Sequence, residues 1–348
     1  LQQAAVPAPG AIAPGPPPGT ALGAARRAPP GDSIFRVLTA GAGIFVLLLL
    51  GAIIVSLFIG GLPAFRAFGV SFITSGTWDP NPDHESYGGA VPIIGTVTTS
   101  IIALAIAVPI AFGIAFYLTE LAPVWVRRPV GTAVELLAGI PSIIYGMWGL
   151  YVVAPILGSV IEPWLDENLH NLADATSGIW GLGSVTSVLA DVLEQGPADG
   201  KGVFTASLIL AIMVIPFIAA TMRDVFQTVP PVYKESAYGL GCTTWEVMRS
   251  IVLPYTRISV VGGIMLGLGR ALGETMAVTF VIGSNHHVST SIFNAGDTIA
   301  SLVALEFAES TQDPLRLSAL LALGFVLFVI SFIVLATSRL LLRQRVRS

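Results

Sequence analysis

Apart from Arg257 at its start, two ionisable residues stand in one stretch otherwise composed for lipid. Arg270 and Glu274 lie within the apolar run 256–283, in Gly262-Gly263-Ile-Met-Leu-Gly267-Leu-Gly269-Arg270-Ala-Leu-Gly273-Glu274-Thr275. Arg270 follows Ile258 by 12 residues, which at a helical rise of 1.5 Å puts it roughly 18 Å into a bilayer core, near mid-depth. An ionised side chain there costs about 2.5–3.5 kcal/mol on insertion scales, so it implies an interior or water-lined position and a use. Spaced four apart, the two residues share one face of a continuous helix, in the cation-first order that stabilises an isolated helix less. Two chemistries compete. One is a salt bridge fixing helix register. The other is an anion handle, because a guanidinium presents planar, paired donors matching a phosphate-like oxyanion. In the second, Glu274 holds Arg270 while the path is empty and accepts a proton-bearing oxygen when it is full. Gly263-x-x-x-Gly267 and Gly269-x-x-x-Gly273 are expected to let neighbouring backbones come close.

Other side chains add less. Thr96, Thr98, Thr99, Ser100 and Ser142 could line a polar path, with Thr99 and Ser142 the substrate-path candidates, although membrane hydroxyls commonly bond their own helix. His286 and His287 are adjacent, yet no carboxylate or thiol stands beside them in sequence, so no metal site is expected. The one cysteine, Cys242, excludes an intrachain disulfide and a Cys-based metal centre. Gly196-Pro-Ala-Asp-Gly200-Lys201-Gly202 lacks P-loop spacing, and Gly267-x-Gly269-x-x-x-Gly273 is one residue too long for a dinucleotide fingerprint. No catalytic constellation or resident cofactor is expected, and the basic residues are too few on any soluble face for nucleic acid.

The second informative stretch is polar and lies between two apolar runs. Pro230 and Pro231 suit the first turn of a helix, where a missing N–H has no consequence. Val232–Gly239 is then expected to make about two turns, ended by Gly239 and Gly241 through positive φ. Trp245, Val247, Met248, Ile251 and Leu253 form a second amphipathic stretch, and Pro254 is placed to start the next helix. The expected product is a small helical knob outside the bilayer.

The elements that position these residues are long apolar segments. Of 348 residues, 54% are hydrophobic and 11% charged, whereas soluble domains carry about 25% charged residues. Six segments can each cross a bilayer of about 30 Å, near 37–61, 92–118, 130–156, 203–222, 256–283 and 317–338. Backbone polar groups in lipid must be satisfied internally, so the expected fold is an all-α membrane protein. The first run is expected to be a membrane helix and not a cleaved signal peptide. Residues 1–33, rich in Ala and Pro, are expected to be disordered. Domains are expected at 1–33, 34–90 (first helix and external loop) and 91–343. Arg26, Arg27, Arg36, Arg127, Arg128, Arg223, Lys234, Arg249, Arg257, Arg339, Arg343, Arg345 and Arg347 fall on one side, against Arg66, Lys201 and Arg316 on the other. That asymmetry makes both termini and the loop 223–255 cytoplasmic. The opposite, external side carries an acidic loop 157–201 with amphipathic spacing around Trp164–Leu172 and Val185–Leu193, read equally as a cap over helix ends or as a docking surface. No internal repeat supports an ion-driven carrier built from two related halves.

Stripped to its skeleton, the polar stretch reads Glu235-x-Ala237-x-x-x-Gly241, nine residues, then Ile251-x-Leu253-Pro254. That pattern resembles the coupling loop of ABC importer permeases. Arg-Ala-Leu-Gly-Glu-Thr-Met-Ala-Val at 270–278 and Gly139-Ile-Pro-Ser-Ile-Ile-Tyr-Gly146 are similar to permease subunits of phosphate importers. So is Gly-Thr…Ala-Phe-Gly-Ile-Ala-Phe-Tyr-Leu-Thr-Glu-Leu-Ala-Pro within 95–123. The likeness covers about 91–283 well and the last helix loosely. The sister subunit PstA tends to carry Ala-Pro where this chain has Met276-Ala277. The resemblance implies a type I importer (MetI-like) fold in the bacterial inner membrane. It also implies a PstA-like partner permease, two PstB-like ATPases that hold ATP and Mg, and a PstS-like external phosphate receptor. Tyr233, Glu235, Ala237, Gly241, Ile251, Leu253 and Pro254 become the ATPase-coupling residues, Arg270 and Glu274 the anion handle, and a sulfate or molybdate permease the alternative.

Overall fold

The computed structural model describes residues 30–80, 85–176, 182–287 and 289–344. Most of the expected disordered stretch 1–33 lies outside these, as do residues 81–84, Arg345 and Arg347. Helix α1 (Pro30–Phe68) begins inside that stretch. Internal contacts divide the chain after Ile53. In the N-terminal unit every side chain from Ile34 to Leu50 is exposed, as an apolar helix surface facing lipid would be.

The second unit, from Ile54, holds the rest. A short hairpin, β1 (Trp78–Asp79) paired antiparallel with β2 (Ser86–Tyr87), sets Trp78 opposite Tyr87. The membrane helices follow: α2 (Ala90–Phe116), α7 (Val203–Gln227), α9 (Leu253–Leu272) and α12 (Pro314–Gln344). Among the described residues, six segments are long and apolar enough to cross a membrane: 34–68, 90–121, 142–172, 203–227, 244–272 and 314–340.

The third span differs from the expectation of 130–156. Residues 124–138 form a separate amphipathic helix, α3 (Val124–Ala138), that buries only Gly131 and Val134. It ends at Gly139, and Pro141 adopts φ −56° and ψ 134°. A residue before proline is steered away from helical geometry, so Ile140-Pro141 breaks the chain. Helix α4 (Ser142–Trp148) restarts it, and the span continues into α5 (Glu162–Thr176). With α6 (Leu182–Val192), α5 supplies the two helices foreseen in the acidic segment, and the two pack together.

The fifth segment also departs from expectation. Its helix runs from Thr244 through a π turn at Met248–Val252 into α9, so Pro254 sits one residue inside α9 and does not open a new helix after a loop. Helix α9 stops at Leu272, and α10 (Met276–Val281) resumes after a three-residue break. Helix α11 (Ile299–Glu306) precedes α12.

The core has a simple basis. Ala103, Ala107, Ala111 and Ala115 recur every four residues along α2 and are at most 1% exposed. That stripe lets α2 lie close to Leu210, Val214, Ile218 and Met222 of α7. Small residues at this spacing bring membrane helices together where no hydrophobic driving force exists. A second cluster gathers Ala64, Phe72, Trp78, Tyr87 and Leu302 around Ala319–Leu323 of α12.

Candidate functional site

Arg270 occupies the last turn of α9, and the helix termination after it decides its role. Gly263 and Gly267 press on α7: a Cβ at Gly263 would meet Thr221 at 2.8 Å, and one at Gly267 would meet Ile218 at 2.8 Å. Gly269 has nothing within 4 Å. The first glycine pair therefore behaves as expected, whereas the second faces open space. Arg270, next to Gly269, is exposed.

Glu274 is not on the α9 face that carries Arg270. The helix has ended two residues earlier, and the Glu274 carboxylate turns forward to accept the backbone N–H of Ala277 at 3.3 Å. Arg270 makes no ion pair among the described residues. The register-fixing salt bridge is thus absent. What remains is an unneutralised guanidinium beside a carboxylate that caps the following helix turn.

Helix α4 flanks this break. A Cβ at Gly146 would lie 2.9 Å from the Ala277 Cα, so α4 and α10 touch nearly backbone to backbone. The Tyr145 hydroxyl donates to the Leu137 carbonyl at 2.9 Å and ties α4 back across the Pro141 break. Ser142, half-buried one turn before Gly146, shares its side of the helix. The fold thereby brings together Ser142–Gly146 and Arg270–Ala277, which are far apart in sequence. Thr99 does not join them. It is 1% exposed, and its hydroxyl donates to the Gly95 carbonyl at 2.8 Å, as those of Thr96 and Ser100 do within the same helix.

The polar knob forms as α8 (Pro231–Gly239), with Pro231 at the first position. Gly241 turns the chain at φ +88°, a conformation that favours glycine, while Gly239 remains helical. Thr243 caps the next helix by a reciprocal box with Glu246, whose carboxylate accepts the Thr243 N–H at 2.7 Å. The Thr-x-x-Glu spacing announces that box in the sequence. Tyr233, Glu235, Gly241 and Pro254 are exposed. Ala237 is buried, and Ile251 and Leu253, both half-buried, pack on the core, so these three help anchor the knob. Leu240 is 86% exposed, and Val232, Tyr233, Tyr238 and Trp245 are exposed as well, so the knob offers several apolar side chains.

At the opposite end of α2 lies a polar cluster that adjacency in sequence did not reveal. His286 Nδ1 is 2.6 Å from the Asp297 carboxylate, and its Nε2 is 3.7 Å from Glu306. Glu306 also accepts from Trp78 Nε1 at 2.9 Å and from Arg316 at 3.1 Å. The hydrogen bond that His286 donates to Asp297, aided by both carboxylate charges, raises the His286 pKa above its ordinary value, with burial opposing. The fold therefore supplies the carboxylates that the sequence did not set beside the histidine pair.

The pattern described as "Binding-protein-dependent transport system inner membrane component" matches residues 107–348. The chain belongs to this family. The family supplies non-catalytic transmembrane subunits of ABC transporters, so the chain is a multi-pass membrane protein that works with other subunits. It is 53% identical, over 90% of both chains, to the "Phosphate transport system permease protein PstC" of Mesorhizobium japonicum. To the protein of the same name from Pasteurella multocida it is 55% identical, over 90% of this chain and 92% of that one. To a probable counterpart in Methanocaldococcus jannaschii it is 33% identical, over 86% and 90%. A bacterial ABC transporter involved in import of the acidic polysaccharide alginate shares the fold, with a TM-score of 0.50 at 17% identity over 90% of this chain and 98% of that one.

Proposed function

We propose that the chain forms one half of the path through an ATP-driven importer of inorganic phosphate, with Arg270 as the residue that receives the anion. The carrying observation is an exposed arginine without an ion-pair partner at the end of a membrane helix, in a chain more than half identical to proteins named phosphate transport permeases. An arginine at mid-depth persists only where water or a partner covers it. There its paired donors suit a tetrahedral oxyanion, and its charge compensates the desolvation of the passing anion. On this reading Glu274 and Ser142 line the same path, and Glu274 accepts the hydrogen of a protonated phosphate oxygen, a bond that sulfate at neutral pH does not offer.

The rest of the machine follows. A PstA-like subunit supplies the other half of the path, and a PstS-like receptor delivers phosphate from outside. Two PstB-like ATPases bind ATP and Mg and engage the exposed face of α8 through Tyr233, Glu235 and the Gly241 turn. This orientation makes the termini and α8 cytoplasmic and agrees with the excess of Lys and Arg on that side.

Arg270→Ala tests the reading in membrane vesicles energised with ATP. Assembly is expected to be intact and phosphate uptake to fall at least a hundredfold. Uptake at the unsubstituted rate would refute the assignment, and ATP hydrolysis stimulated by sulfate or molybdate instead of phosphate would reassign the substrate.

A further inference from the structure

Helix α8 is joined to the membrane body through a narrow face. Lys234 and Ala237, one turn apart, turn inward, while Val232, Tyr233, Glu235, Ser236 and Tyr238 are exposed. Lys234 Nζ donates to Glu120 Oε1 at 2.6 Å and reaches the Phe226 carbonyl at 3.5 Å. The lysine side chain is 18% exposed and the glutamate 8%. Glu120 lies in the π turn Tyr117–Leu121 that prolongs α2. The far side of the knob meets the same helix differently: the Trp245 ring packs edge-on against Phe112 and Phe116, with centroids 6.4 and 5.9 Å away.

The other end of α2 carries the polar cluster. A Cβ at Gly95 would lie 2.0 Å from the Asp297 carbonyl oxygen, and Thr96 Oγ1 accepts the Ile299 N–H at 2.9 Å. Between these ends α2 is one helix of 27 residues with Pro109 inside it, about 40 Å long. We infer that the Lys234–Glu120 ion pair is the positioning link through which α8 moves α2, so that nucleotide binding on the ATPase is felt at the 283–298 loop. The inference rests on the ABC-subunit reading of α8.

Two physical points separate this from a staple. A buried ion pair is a poor stabiliser, since an apolar pair of similar volume often does as well, so stability alone gives little reason for it. Edge-on ring contacts accept a range of separations, whereas a desolvated, hydrogen-bonded pair fixes both the distance and the direction between its partners. The knob is thus gripped by charge on one side and held by ring packing on the other.

The test uses the whole complex isolated with its ATPases, in a Cys242→Ser, Ile94→Cys background. Ile94 is 51% exposed on α2 and lines a cavity of about 190 Å³ under the 283–298 loop. The rate at which N-ethylmaleimide modifies the thiol introduced by Ile94→Cys is measured with and without ATP and Mg. Nucleotide is expected to change it about fivefold. The double variant Lys234→Met, Glu120→Leu is expected to assemble, hydrolyse ATP and show no change, while the exchanged pair Lys234→Glu, Glu120→Lys restores at least half the response. Should the apolar pair fail to assemble, Glu120→Asp decides: it keeps both charges, withdraws the carboxylate by one methylene and is expected to halve the response. A thiol rate indifferent to nucleotide, an apolar pair that responds fully, an exchanged pair that stays silent, or an undiminished response in Glu120→Asp would each overturn the link. Phosphate-stimulated hydrolysis is followed in parallel. A complex whose thiol responds to ATP, but whose hydrolysis ignores phosphate-loaded receptor, refutes the phosphate reading alone.

Discussion

Raising the pH should loosen the cluster around His286, and the size of the effect can be worked from its geometry. The ring is held at 2.6 Å by Asp297, whose side chain is fully buried, and stands 3.7 Å from Glu306. Arg316 faces Glu306 and Glu309, Tyr87 donates to Asp313, and Trp78 donates to Glu306. Of these groups His286 is the one that changes charge near neutrality. Its pKa is raised in the folded protein, first by the Asp297 hydrogen bond. The stabilisation is therefore complete below the unfolded value of about 6.5 and is lost as pH climbs through the folded value. A hydrogen bond to a charged partner contributes about 1.5–3 kcal/mol, which bounds the loss. Thermal unfolding in detergent at pH 6 and pH 8.5, for the unsubstituted chain and for His286→Gln, isolates the effect because glutamine retains a donor without the titration. The unsubstituted chain should lose a few degrees more than the variant between the two conditions. Equal losses in both would refute the reasoning.

The remaining predictions concern backbone clearance and the knob. Gly95→Ala would drive a methyl into the Asp297 carbonyl, which belongs to backbone and cannot swing away; a loss of about 1–3 kcal/mol is expected. Gly269→Ala meets open space, so it should be neutral or slightly stabilising, and equal unfolding temperatures for these two variants would refute the packing account. Glu235→Lys and Gly241→Pro should each reduce receptor-stimulated ATP hydrolysis about tenfold, the first by reversing a charge on the exposed face of α8, the second because proline cannot adopt φ +88°. Stimulated hydrolysis and ATPase co-purification at ordinary levels would count against the docking face.

The spans were legible because lipid leaves the backbone a single solution, and uninterrupted apolar runs of this length have few readings. Where runs were interrupted, extrapolation failed. The third span was drawn through Gly139-Ile140-Pro141, although the residue before a proline is poorly helical, and α3 was absorbed into it. The same error carried helical register across Gly273 and paired Arg270 with Glu274 on one face. The Thr243-x-x-Glu246 box and the four alanines of α2 stood in plain sequence and were passed over. Lys234 and Glu120, separated by 114 positions, leave no local signature, nor do His286 and Glu306. Long-range ionic contacts are set by how helices pack, which periodicity does not specify.

The break between α9 and α10 bears on how a charge inside a membrane can serve a moving path. In a continuous helix Arg270 and Glu274 would meet one turn apart, and the cation would be neutralised before any anion arrived. Ending the helix at Leu272 sends the carboxylate to the Ala277 N–H and leaves the guanidinium free. The two halves pack differently, α9 on α7 through Gly263 and Gly267, and α10 on α4 through Gly146 and on Ala206 and Ile209 of α7. A shift of α9 along α7, relative to the packed α4–α10 pair, would therefore change the distance between Arg270 and Glu274 without unwinding either helix. On the proposed reading that shift is the switch: apart, the arginine holds phosphate; together, the carboxylate displaces it. Glycines at the anchors and an open glycine beside the arginine are what such an arrangement requires, because close backbone contact lets the helices slide while the charged face stays clear.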